Sequence, residues 1–205
     1  GYGVMSPNGL TANILVTIEA LVGLLGFALV TGLLFARFSR PSAQIIFSHR
    51  AVISPYRGAT AFEFRIVNQR SNQLINVEAT VVLTRNETVD GSTLRKFYQL
   101  KLEREQVTFF PLHWVIVHPI IETSPLFGIT KDMFDTSDAE FLILLTGVDD
   151  TFSQTVHARS SYKYHEVEWN AKFVDMFEQP ENGQPGIDLG KLHDIVGTNQ
   201  TYLSE

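Results

Sequence analysis

At 205 residues the chain has room for one ordinary domain and a small extra module. Its 44% hydrophobic and 19% charged residues exclude a disordered chain, and the absence of cysteine excludes disulfides and thiolate metal sites. Of 16 basic and 22 acidic residues, only Arg37, Arg40 and Glu19 precede Pro41, leaving 14 against 21 and a net charge of −7. That balance argues against nucleic-acid binding and is compatible with attracting cations.

The chain opens on Gly1-Tyr2-Gly3, followed by the turn signal Pro7-Asn8-Gly9. Thr11 or Asn13 is placed to cap a helix, and Leu10 to Ala36 reads as continuous helix. From Leu10 to Phe35 it would run about 39 Å, more than the ~30 Å hydrocarbon core of a bilayer. The ten Leu, Val and Phe residues between Ala20 and Ala36 favour insertion by roughly 3–6 kcal/mol. Glu19 opposes this from outside the apolar centre. Arg37, Arg40 and Arg50 follow the helix and no basic residue precedes it, so the positive-inside bias puts the C-terminal part in the cytoplasm. The first residue is not Met and no signal-peptide n-region precedes the apolar run, so the expectation is a segment from within a longer chain.

Within the helix, Gly23, Phe27, Thr31 and Phe35 recur every four residues on one face, with Glu19 one step further up the row. The helix alone leaves two readings open. One is a lipid-facing or packing stripe with incidental glycines. The other is a pore lining with Phe35 as a bulky ring near the cytoplasmic end; an ionisable residue in such a helix is itself a functional signal.

After Pro41 the period changes from helical to alternating. Gln44–Phe47 and Ala51–Ser54 read as short strands. In Ala61–Val67, Phe62, Phe64 and Ile66 face one way and Glu63 and Arg65 the other, and Val77 to Leu83 repeats the pattern. Such strands suit an antiparallel sheet with one face packed. Leu94–Leu102, Thr108–Phe110, Trp114–His118, Glu140–Gly147, Gln154–Tyr162 and Phe173–Phe177 are further strands; Lys131–Phe134 reads as a helical turn and Leu189–Val196 as a short helix. The predicted fold is mostly β: an immunoglobulin-like β-sandwich over 42–205, preceded by one transmembrane helix in 1–41.

Six histidines invite an enzymatic or metal reading, which their spacing does not support. His113 and His118 would point to opposite faces of a strand, and His157, His165 and His193 have no carboxylate at ligand spacing. HExxH, GxSxG and P-loop motifs are absent, and Asp149-Asp150 reads as a solvated turn. Nothing argues for catalysis. The Gly-Tyr-Gly triplet is weak alone, but it stands where a potassium selectivity filter would end, before a membrane helix. Filter carbonyls replace the hydration shell of K⁺, and glycines permit the backbone that aims them.

Gly1-Tyr2-Gly3, the run EALVGLLGFALVTGLLFARFSRP and FSHRAVIS at Phe47–Ser54 together resemble the inward-rectifier potassium channels, above all their prokaryotic (KirBac-type) members. The likeness continues through FRIVNQR, HPIIETSPLFG, LLTG, HARSSY and DLGKLHDI, in the family's order along nearly the whole chain. The resemblance implies a homotetramer with K⁺ as the permeant ion, in the cell inner (plasma) membrane, with no other cofactor. It also implies an outer helix, a pore helix and the start of the filter, none of which this sequence contains. Residue by residue, it makes Gly1, Tyr2 and Gly3 the filter, Gly23 the inner-helix hinge and Phe35 the hydrophobic gate, with Thr31 in the same pore-facing row. Phe27 falls where strongly rectifying animal channels carry an acid that binds Mg²⁺ or polyamine, so voltage-dependent block is expected to be weak. Glu78 and Asp150 match cytoplasmic-pore acids, although Arg70–Val77 looks two residues longer than the family's hairpin. Arg37 and Arg40 match part of a lipid-headgroup site for anionic or phosphoinositide lipids, but Ser42-Ala43-Gln44 lacks the basic cluster of the animal channels. The competing reading is a single-pass, membrane-anchored β-sandwich binding module.

Overall fold

A computed structural model describes residues 3–4, 6–38, 44–69, 73–89, 91–178 and 186–198. The chain divides into two compact units, Gly1–Pro41 and Ser42–Glu205. The first contains α1 (Leu10–Phe38), a single helix of 29 residues with no buried side chain. Its length, about 43 Å at 1.5 Å per residue, and its apolar composition are sufficient to cross a membrane. The expected caps fall elsewhere. Thr11 and Asn13 lie inside the helix, which starts after Gly9 at φ +95°, and the Asn13 amide donates to the Gly9 carbonyl at 3.2 Å. Glycine begins the helix because this left-handed backbone is strained for any residue with a Cβ.

The second unit runs β1 (Ile45–Phe47), β2 (Ala51–Tyr56), β3 (Ala59–Asn68), β4 (Leu74–Val89), β5 (Ser92–Leu100), β6 (Gln106–Phe109) and β7 (His113–Ile120). Then come α2 (Lys131–Thr136), β8 (Glu140–Asp149), β9 (Gln154–Lys163), β10 (Val167–Trp169), β11 (Ala171–Phe173), β12 (Phe177–Glu178), β13 (Gly186–Ile187) and β14 (Ile195–Gly197). One sheet has the order β1-β3-β2-β10 with β7 also on β3; the other has β5-β4-β8-β9 with β6 also on β4. All these pairs are antiparallel except β2 with β10.

The two sheets are glued by the residues that alternation predicts. Phe62, Phe64 and Ile66 of β3, Val81 and Leu83 of β4, and Phe141 and Ile143 of β8 belong to one buried cluster. The Phe62 and Phe141 rings stack at 3.9 Å between centroids, and Phe134 of α2 closes one end against Phe141 and Trp169. The mostly β sandwich after one helix is therefore as predicted.

Three expectations change. The second face of β3 is not solvated: Glu63, Arg65 and Val67 are buried as well. The C-terminal segment covers that face, where Val67, Met176 and Leu192 form a second small cluster and the Arg65 guanidinium lies 4.6 Å from the Phe173 ring centre. Burial raises the Glu63 carboxyl above its usual range, against a 2.6 Å hydrogen bond from Ser54 Oγ, and lowers Arg65. Second, Phe173–Phe177 is not one strand, because β11 pairs with β14 and β12 with β13. Third, Leu189–Val196 is not one helix. A 3₁₀ turn, Leu189–His193, is capped by the Asp188 carboxylate accepting from Gly190 N at 2.8 Å, and the chain then extends into β14.

One polar knot pins β9 to the turn after β1. Tyr162 Oη donates to the Ser48 carbonyl at 2.7 Å, while Ser48 Oγ accepts from Arg65 N at 3.1 Å. Burial raises the Tyr162 phenol well above its usual range, so it stays a donor. Tyr162→Phe is expected to lower stability by about 1–2 kcal/mol by removing a buried donor from that carbonyl; an unchanged urea midpoint and slope would remove the knot from the account.

Candidate functional site

The residues singled out on α1 share a ridge. Steps of four residues advance about 40° around a helix with 3.6 residues per turn, so Gly23, Phe27, Thr31 and Phe35 form an inclined row rather than a line along the axis. Such i±4 ridges lean about 26° from the helix axis. Phe27 and Phe35 are 75% and 73% exposed, on a helix that buries none of its side chains. The glycines at 23, 26 and 32 have nothing within 4 Å of an added Cβ. Arg37 stands in the last turn of the helix, where a basic side chain also suits the helix dipole. Gly3 has φ +58°. Gly1, Tyr2 and Arg40 lie outside the described residues.

In the second unit, Glu78 is on the outer face of the β5-β4-β8-β9 sheet and exposed. It is opposite Thr146 on β8 and Gln106 on β6. Thr146 Oγ1 is 3.2 Å from Nδ1 of His157 on β9, so a polar band runs from β6 to β9. Thr146 carries no signal in the sequence, and His157, set aside there for want of a carboxylate at ligand spacing, is brought beside it by the cross-strand register. Between Ile75 and Glu78 the pairing slips, with three steps on β4 against two on β8, and Asn76 has φ +50°. That bulge accommodates extra chain just before Glu78 and helps turn it outward. Gly147 stands opposite, where an added Cβ would come 3.0 Å from a Val77 methyl.

Asp149 and Asp150 separate sharply. Asp149, expected to be solvated, is 1% exposed at the end of β8, and its Oδ1 accepts from Thr151 N at 2.9 Å and Phe152 N at 3.1 Å. Asp150 is exposed in the turn, its amide donating to the Gln73 carbonyl at 3.1 Å. Leu74 is opposite Asp149, so Glu78 and the Asp149 pair are four residues apart along β4, about 13 Å. Glu78 on β4 and Asp150 in the turn just after β8 are therefore separate positions.

Further along the same face lies an apolar hollow of about 720 Å³ lined by Val82, Phe97, Leu142, Leu144 and Arg159. Phe97 is 64% exposed. His118, by contrast, is structural: its two ring nitrogens meet the Lys101 carbonyl at 2.6 Å and Ser124 Oγ at 2.7 Å, and burial lowers it towards the neutral form. Among the described residues, no three His, Asp or Glu side chains group as metal ligands.

The sandwich sequence matches, over residues 45–204, a family model described as the inward rectifier potassium channel C-terminal domain. The chain belongs to the inward rectifier potassium channel family. The inward rectifier potassium channel Kirbac3.1 of Paramagnetospirillum magnetotacticum is 42% identical over 197 residues, covering 96% of this chain and 67% of that one. Inward rectifier potassium channel 4 of Homo sapiens is 28% identical over 213 residues, covering 97% of this chain and 47% of its own length. ATP-sensitive inward rectifier potassium channel 8 of Homo sapiens is 27% identical over 206 residues, covering 96% and 48%. This inward rectifier chain thus spans about half the length of its human relatives. The match to Kirbac3.1 extends beyond the sandwich into the helix, since it takes in nearly the whole chain.

Proposed function

We propose that this chain supplies the pore-lining helix and the cytoplasmic domain of a homotetrameric potassium channel. Transport is passive, down the electrochemical gradient, and is closed by Phe35 where the helices of four subunits meet. The observation that carries this reading is the Phe35 ring: bulky, outward-facing and two residues before Arg37 at the end of a membrane-length helix. Four such rings around an axis would exclude water and ions by dewetting. Thr31 and Gly23 lie on the same ridge, Gly23 as the bending point. Phe27 leaves the cavity without an acid, so block by Mg²⁺ or polyamine is weak.

On the cytoplasmic side, fourfold rings of Glu78 and of Asp150 concentrate cations ahead of the gate. The outward-facing apolar hollow around Phe97 and Leu142 supports assembly, since burying such a patch against a neighbouring subunit is favourable. Arg37 and Arg40 meet anionic headgroups, each worth about 1 kcal/mol near a charged leaflet. Rearrangement of the domain reaches the gate through the Phe38–Phe47 linker, and the Gly1-Tyr2-Gly3 carbonyls complete the filter.

The decisive test is ion flux through the full-length channel reconstituted in liposomes. K⁺ flux well above Na⁺ flux is the expected result. Equal fluxes, or none with a protein that stays monomeric in mild detergent, would leave an anchored binding module instead.

A further inference from the structure

His49 and His193 stack face to face, with ring centroids 3.5 Å apart and planes within 5°. The first lies in the turn after β1 and the second ends the 3₁₀ turn of the C-terminal segment. The His49 backbone N–H donates to Nδ1 of His193 at 3.2 Å. That bond assigns the tautomer: Nδ1 must carry a lone pair, so the His193 proton sits on Nε2. A proton added at Nδ1 would set two donors against each other and place a cation 3.5 Å from a second imidazole. Metal chelation fits poorly, because rings in parallel planes do not converge their lone pairs and one nitrogen is already bonded.

The two sides of the stack are held unequally. Ser48 beside His49 is buried in the Tyr162 knot, and Arg50 is ion-paired with Glu168 of β10. The His193 side depends on buried Leu192, the β11–β14 pairing and the Val174 amide donating to the Asp194 carbonyl at 3.1 Å. The surrounding charges are Arg50 with Glu168, Lys191 with Asp188, and Asp194. We propose that His49 and His193 form a proton-sensitive latch, closed while Nδ1 of His193 keeps its lone pair for the His49 N–H, that fastens the C-terminal segment to the β1–β2 turn.

The sign follows from the environment. Desolvation first, and then the neighbouring His49, hold His193 below the usual histidine range, with Asp194 acting in the opposite sense. A group depressed in the fold binds fewer protons there than in the opened chain, so the latch is complete above the ordinary histidine range. It is lost as pH falls through the lowered value. Opening is local, because Leu192 and the β11–β14 pairing remain.

The test is amide hydrogen exchange of the full-length channel between pH 8 and pH 5.5, corrected for the intrinsic rate. The expected result is a loss of protection at the His49 amide and across residues 190–194 on acidification, about two- to tenfold, the range of one net hydrogen bond, with the β14 amides at 195–197 unchanged. His193→Asn, whose side-chain carbonyl can accept the same bond without titrating, should keep that protection nearly constant across the range. Protection independent of pH in the wild type, or an equal loss in His193→Asn, overturns the proposal.

Discussion

Phe35→Ala in the full-length channel is expected to raise K⁺ flux under closing conditions by about tenfold or more. Tenfold corresponds to about 1.4 kcal/mol off the barrier to permeation. The ring is the bulkiest group at the C-terminal end of the Gly23–Phe35 ridge, and in the proposed tetramer replacing it with methyl would open four wedges of space around the axis at once. A dewetted constriction depends on width and apolarity together, so Phe35→Leu should leak less than Phe35→Ala, and Phe35→Ser more. The readout is flux from K⁺-loaded liposomes held closed, normalised to the open-state flux of the same preparation. Closed-state flux equal to wild type in all three variants would remove Phe35 from the gate.

Phe141→Ala should lower the unfolding free energy of the sandwich by about 3–5 kcal/mol, the usual cost of truncating a fully buried phenylalanine. The side chain is 0% exposed, stacked on Phe62 and tilted against Phe134, so both sheets and α2 lose a contact. For a domain of this size that is a fall in Tm of roughly 6–20 °C. Trp169, in edge contact with Phe134, is the natural fluorescent reporter. Leu142→Ala, one residue along β8 on the opposite face, should cost less than about 1 kcal/mol in the isolated subunit, since that side chain is 38% exposed. Equal losses for the two substitutions would contradict the face assignment of β8.

Much of this architecture is legible in local pattern. The alternation of Phe62, Phe64 and Ile66, and of Val77 to Leu83, reports the period of a strand, and it places the inner faces correctly. The apolar run from Leu10 to Phe35 reports its helix just as directly. Long-range contacts are what the pattern does not encode. Glu63 and Arg65 alternate as solvated residues do, yet they are buried because the C-terminal segment returns over β3. Phe173–Phe177 has the composition of a strand, but the partner of β11 is β14, more than twenty residues later. Glu78 could be chosen from sequence, whereas its neighbours Thr146 and His157 depend on a register that the bulge after Ile75 displaces. The roles given to Gly23, Phe27 and Phe35 came from family resemblance; periodicity placed them on one ridge and could not say what the ridge faces.

The lean of that ridge has a mechanical consequence. Residues set on it behave as points on a screw thread: turning the helix by about 40° brings one member to the azimuth its neighbour four residues away had occupied. A straight helix parallel to an axis could therefore aim only part of the thread inward, whereas a helix leaning to match the pitch aims all of it. Turning such a helix by a few tens of degrees would swing Phe35 and Phe27 through the same angle, but from azimuths about 80° apart, so one would leave the axis as the other approached it. In the proposed pore the same side chains would then serve a blocked and an unblocked path, with no change in their own rotamers.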